Sequence, residues 1–187
     1  MRRNIPVLML LAVVPLAIVA QTAGDPASEP RALSVRLQQL LQQELFAAMR
    51  DGGPLKAIEV CRSKAPVLAA DLSKESGWKV GRTALRVRNP ANAPDAWEKK
   101  TLEEFGARLA KGEDAATLET FEVVELAGRK SFRYMKAIRT AEPCLGCHGP
   151  ALKPGLAAKV KDLYPDDRAT GFAAGELRGA FTLSRPM

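Results

Sequence analysis

From Leu33 onward the apolar residues recur three or four apart, at Leu33, Leu37, Leu40, Leu41, Leu45 and Ala48. That is the stripe of an amphipathic helix, and Asp51-Gly52-Gly53 ends it. Pro54 suits the first turn of a second helix, where an amide is not needed. Ile58, Cys61 and Ala65 continue the apolar face. Pro66 kinks or divides this helix, because proline has no amide to bond back four residues. Leu68 and Leu72 carry the face on to Gly77.

Beyond Gly77 the period changes. Trp78, Val80, Thr83, Leu85 and Val87 predict one or two strands. Asn89 to Pro94, with two prolines, is a turn-rich connector. A charged helix runs from Ala96 to Lys111 with Trp97, Leu102, Phe105 and Leu109 on one side. Leu118–Leu126 and Lys130–Ile138 predict a hairpin around Ala127-Gly128-Arg129. A short helix around Leu156–Leu163 and a last strand, Leu177–Leu183, follow. Helices first and a mostly antiparallel sheet behind them define an α+β fold. No internal repeat interrupts it.

The N-terminus differs from the rest. Arg2 and Arg3 precede an apolar run, Ile5 to Val19, and Ala20 is a small residue at a cleavage position. Residues 1–20 therefore read as a secretory signal peptide and 21–30 as a short disordered leader, leaving 31–187 as the domain. Pro15 and the shortness of the run argue against a membrane span; an uncleaved anchor is the alternative. Export to the periplasm is the expectation, with no stable membrane insertion after cleavage. The formal charge of +7 falls to +5 once Arg2 and Arg3 are removed. That balance suits an acidic partner protein. The basic residues are dispersed and aromatics are few, so nucleic acid is not an expected partner.

Cys144-Leu145-Gly146-Cys147-His148 changes the picture most. On a helical turn the two thiols share a face, within reach of both vinyl groups of one porphyrin. The adjacent imidazole then points at the iron, and C-x-x-C-H reads as c-type haem attachment. A redox dithiol or half a zinc site is the plainer alternative, but one Cys and no further His remain for a zinc cage. Covalent attachment of one haem c and export support each other.

His148 is the single histidine, so a second imidazole ligand within the chain is excluded. The candidates for the opposite position are Cys61, Met49, Met135, Met187, a Lys or Tyr, and water. Methionine more often fills cores. Cys61, the cysteine left over, lies on the apolar stripe with Ala57, Ile58, Ala65 and Leu68. Arg62 and Lys64 are expected to favour its thiolate if they lie close. A buried structural thiol is an equal alternative on chemistry alone. Arg82 and Arg88 are candidate partners of haem propionates, or surface strand residues.

Several stretches together resemble the exported single-haem c-type proteins with a PAS-like sensor fold. They are Ala57-Ile58-Glu59-Val60-Cys61, Gly81-Arg82-Thr83, Arg88-Asn89-Pro90-Ala91-Asn92-Ala93-Pro94, Trp97-Glu98 and Cys144–Gly149. Tyr164-Pro165, Ala169-Thr170-Gly171 and Leu177-Arg178-Gly179-Ala180-Phe181 complete the series in order. The resemblance implies a central antiparallel sheet flanked by helices, with haem in the PAS ligand pocket. It implies thioether links at Cys144 and Cys147, His148 as proximal ligand and Cys61 as the opposite ligand, carried by the N-terminal helices. Some such proteins carry signalling modules after this domain; here a signalling role would work through a separate partner.

Two classes of function follow. The first is an electron carrier or a redox or small-gas sensor, in which release of Cys61 on reduction opens a site for NO or CO. The second is a haem enzyme of peroxidase or nitrite-reductase type, which needs a placed acid or base, and the chain offers no distal histidine. A helical cytochrome c′-like gas binder is disfavoured by the strand patterns.

Overall fold

The computed structural model describes residues 24–126 and 128–187; the expected signal peptide lies outside them. Of the expected leader, residues 24–30 belong to the fold. Ala27 is fully buried with Leu37, Trp78 and Phe181, its amide donates to Asp25 Oδ1 at 2.9 Å, and helix begins at Ser28. The polar sequence predicts disorder there, but one buried alanine and its hydrogen bond to Asp25 anchor the segment.

Helix α1 spans Ser28–Ser76, broken at Gly52 and Gly53. Gly53 has φ 65° and ψ −158°, a combination that essentially only glycine tolerates. A side chain on Gly52 would meet Lys56 Cβ at 2.8 Å. The two arms fold back on each other as a hairpin. Arg36 pairs with Glu75 at 2.8 Å, and Leu37 and Leu72 share one core cluster. The expected break after Asp51 is thus present, and Pro66 lies inside the second arm.

The sheet has the order β1-β4-β3-β2, with β1 Lys79–Thr83, β2 Glu119–Leu126, β3 Arg129–Arg139 and β4 Leu177–Pro186. All pairs are antiparallel. One row crosses it as Val80, Leu183 and Tyr134, and this row packs against Leu37 and Leu72 of α1. On the other face Met135, Ala137 and Ala180 meet Leu102 and Phe105 of α2, Ala96–Ala110. Asp95 and Glu98 cap α2 reciprocally, Asp95 Oδ1 accepting from the Glu98 amide at 2.9 Å and Glu98 Oε2 from the Asp95 amide at 3.0 Å. Two short helices, α3 Leu145–His148 and α4 Pro154–Leu163, complete the fold. This is the expected α+β architecture, a four-stranded antiparallel sheet flanked by helices. Only one strand forms in 78–87: after Thr83 the chain leaves the sheet, and the Ala84 amide donates to Asn92 O at 3.4 Å. Among the described residues no helix is long and apolar enough to cross a membrane.

One ionic knot ties α1 to the sheet. Arg31 Nε donates to both Glu119 oxygens at 2.9–3.0 Å, and Tyr134 donates its hydroxyl to Glu119 Oε2 at 2.7 Å. The Arg31 hydrogen bond holds the Glu119 carboxyl below its ordinary value of 4.5. The unfolded chain therefore takes up this proton first as the pH falls. The stabilisation is fully present above about pH 4.5 and is lost as the pH falls through the depressed folded value. Glu119→Gln should flatten the acid limb of a stability–pH profile measured by urea denaturation. An unaltered limb would exclude this pair as its source. Independently, Gly53→Ala should cost about 1–3 kcal/mol, read as a lower denaturation midpoint at unchanged m-value.

Candidate functional site

A four-residue helix cannot sustain itself, because nucleating a helix costs more than one turn returns. Helix α3 is held from outside. Residues Glu142–Cys144 form a 3-10 turn leading into it, and Cys144 is itself helical at φ −71°, ψ −24°. Cys144 and Cys147 therefore stand on one face, as their spacing predicts. Gly149 closes the turn by donating to Leu145 O at 2.8 Å. Any side chain at Gly149 would strike that same oxygen at 2.6 Å, so the glycine is sterically required. The Gly171 amide donates to Gly149 O at 2.9 Å, and the Phe172 amide to His148 O at 3.0 Å.

His148 is oriented by the same strap. Its Nδ1 lies 2.7 Å from Ala169 O; facing a carbonyl, that nitrogen carries the proton and donates. Nε2 keeps its lone pair free for a ligand role. The Phe172 ring stands edge-on to the imidazole at 6.3 Å. Burial first, then the charges of Arg178 and Arg88, push the His148 pKa down to about 3. The imidazole is neutral at physiological pH, the form that coordinates metals.

Arg88 is not a surface strand residue, and its Nε and Nη2 are taken by protein acceptors. It sits in the loop after β1 with 9% of its side chain exposed, paired with an Asp167 that is 8% exposed. Its Nε donates to Asp167 Oδ1 and its Nη2 to Oδ2, both at 3.1 Å. Nη2 also donates to Cys147 O at 2.8 Å and Ala169 O at 3.3 Å. A guanidinium so occupied positions protein backbone.

Cys61 approaches from α1. Ile58, one turn earlier, is buried with Leu156, Val160 and Tyr164 of the α4 region, and Cys147 packs against the same cluster. Lys159 reaches back to Glu59 at 2.6 Å. Cys61 is half-buried and unpaired. Burial pushes its thiol up, Arg82 and Arg88 pull it down, and Cys147 pushes it up. The chain thus brings Cys61 beside Cys147, far downstream in sequence. Of the charges expected to favour the thiolate, Lys64 is exposed and Arg62 reaches instead over the Tyr164 ring, 6.0 Å from its centre; Arg82 and Arg88 are the ones that lower the Cys61 pKa.

Arg82 has open area around it, yet protein surrounds it densely enough to lower its pKa, with Cys61 and Tyr164 raising it. Sequence reasoning assigned no role to Arg178, Asp167, Ala169 or Phe172. Arg178 donates to Arg86 O at 3.2 Å and lies 5.1 Å from the Phe172 ring centre. Its pKa is lowered to about 10 by burial, then by Arg88 and Arg82. It lines a cavity of about 390 Å³ with Leu85, Arg86, Phe172 and Leu177. A signal existed: Arg178 is a charge directly beside the buried run Gly179-Ala180-Phe181. Of the methionine candidates, Met135 fills the α2 face of the core, while Met49 and Met187 are exposed.

Arg88 and Arg178 are the guanidiniums close enough to act on His148, and Arg86 lies 3.5 Å from the centre of the Phe172 ring that flanks it. Arg86 pairs with Glu176 at 3.2 Å and Arg88 with Asp167. Arg82 and Arg178 have no carboxylate partner among the described residues. Among the described residues no group of three His, Cys, Asp or Glu side chains is arranged to hold a metal ion. The donor set is one neutral imidazole, a thiol pair beside it, a third thiol close by and two unpaired guanidiniums.

A four-stranded antiparallel sheet, a helical hairpin and a strapped C-x-x-C-H turn define an α+β protein built to present thiols and one imidazole together. By its family model, matched over residues 18–186, the chain belongs to the Tll0287-like family. A solved structure titled the cyanobacterial heme-protein Tll0287 shares the fold, with a TM-score of 0.62 at 23% identity. The match covers 86% of this chain and 96% of that one. No curated protein matches. Because Ile58 carries Cys61 onto α4, Ile58→Ala should cost about 2–5 kcal/mol of stability. It should also loosen Cys61, read as faster alkylation of that thiol by a maleimide; an unchanged rate would show that Ile58 does not hold it.

Proposed function

We propose that this protein is an exported monohaem c-type cytochrome that transfers electrons or senses redox state. The observation that carries the reading is the C-x-x-C-H turn with His148 held neutral and its Nε2 unencumbered. The donor set fits haem: Cys144 and Cys147 share a helical face suited to two thioether links. Arg82 and Arg178 supply two unpaired positive charges for two propionates. Haem bound here supplies a one-electron ferric/ferrous couple.

The residues divide the work. His148 would hold the iron through Nε2 while Ala169 O fixes the ring by accepting from Nδ1. Cys61, brought near Cys147 by α1, would supply a second ligand. Its Sγ holds a thiolate only while a positive centre offsets burial, so loss of positive charge on reduction favours protonation at Sγ and release. Such release would admit NO or CO, the basis of a gas- or redox-sensing role. Catalysis is not the proposed role, since His148 is the single histidine and is committed to ligation. An acidic redox partner fits the basic chain, and a periplasmic location fits residues 1–20.

The test is an electronic and EPR spectrum of the exported protein beside Cys61→Ala, with a pyridine haemochrome assay for thioether attachment. A c-type haemochrome and a low-spin thiolate signature lost in Cys61→Ala are expected. Haem with spectra unchanged by the substitution would remove Cys61 from the iron; no haemochrome would remove the whole reading.

A further inference from the structure

The bond between Arg88 and the strap does more than fix backbone. Ala169 O is a shared acceptor: His148 Nδ1 reaches it at 2.7 Å and Arg88 Nη2 at 3.3 Å. The more strongly a carbonyl accepts from Nδ1–H, the more imidazolate character the ring gains and the more basic Nε2 becomes. A guanidinium on the same oxygen draws electron density away and opposes that effect. Asp167 acts in the opposite sense. It takes two hydrogen bonds from Arg88 and a third from the Ala169 amide at 2.9 Å, so it neutralises the guanidinium and braces the residue whose carbonyl is in play.

We infer that Arg88 and Asp167 are a positioning pair that tunes the basicity of His148 through the shared Ala169 carbonyl, Arg88 raising and Asp167 lowering the reduction potential of the centre. This rests on the haem reading given above. The relay is short, running from Asp167 to Arg88 to Ala169 O to Nδ1, and every member is at least half-buried, which keeps its electrostatics from being screened by water. Arg88 also grips Cys147 O, so the element being tuned is the same one that is held in place. Arg82 and Arg178 add positive charge but make no hydrogen bond to the strap carbonyl.

The experiment compares Arg88→Leu, Arg88→Lys and Asp167→Asn with wild type by spectroelectrochemical titration and resonance Raman of the ferrous protein, with haem content fixed by pyridine haemochrome. Arg88→Leu should move the midpoint potential negative and raise the Fe–His stretch. Arg88→Lys, which keeps the charge but loses the fork, should fall between Leu and wild type. Asp167→Asn, leaving the guanidinium uncompensated, should move the potential positive. A purely structural pair predicts something else: either loss loosens the strap, and both shifts take the same sign. Same-sign shifts, or none, in haem-loaded variants overturn the inference and leave the haem reading intact. A wild-type chain without haem sinks the functional reading and the inference with it. If Arg88→Leu does not fold, the opposed signs of Arg88→Lys and Asp167→Asn still decide.

Discussion

The site depends on a single constraint: a four-residue helix must be held by something other than itself. Residues 169–172 provide that hold through main-chain hydrogen bonds to His148 and Gly149 and through the carbonyl that orients the imidazole. Arg88 and Asp167 lie between this strap and α3, nearly dry and mutually paired. A buried pair of this kind is weak evidence for stability, since removing charge from water is costly. Its worth here lies in specificity. One planar fork fixes two carbonyls on two different segments, and so sets the distance between them.

Much of this was legible in the sequence, and the failures have physical reasons. The break at Gly52-Gly53 was visible because glycine and aspartate interrupt an apolar stripe, but the reversal of direction was not. That follows from the backbone angles at Gly53 and from the pairing of Leu37 with Leu72. The hairpin of β2 and β3 was legible from alternation around Gly128, and its register follows from Tyr134 facing the core. The burial of Arg88 is not legible, because an arginine after a strand usually lies at the surface. Its partner, Asp167, lies too far along the chain for any local pattern to suggest. Arg178 was passed over for the same reason: strand alternation reports the face of a residue, not the cavity it borders.

Charge around His148 is arranged unevenly, and the imbalance has a structural origin. Arg86 and Arg88 are satisfied by carboxylates just after and just before the strap, whereas Arg82 and Arg178 arise from strands whose neighbours are apolar or main-chain. The sheet thus delivers the uncompensated charge and the loops deliver the compensated charge. Cys61, on a third element, senses both kinds, since Arg82 and Arg88 each lower its pKa against the effect of burial.

The strand order has a consequence for how the molecule comes to exist. β4 lies between β1 and β3 and bonds to both, Val80 to Leu183 and Leu183 to Tyr134. Until it arrives, β1 has no neighbour in the sheet, and the hairpin of β2 and β3 exposes one long edge. Helical hairpin and β-hairpin can form early from local contacts, but joining them waits on a pairing that spans most of the chain. Such long loop closures slow folding. A nascent chain therefore carries its thiols for some time on a turn not yet strapped, open to whatever chemistry reaches them first, and only the closing of the central strand commits them to their final surroundings.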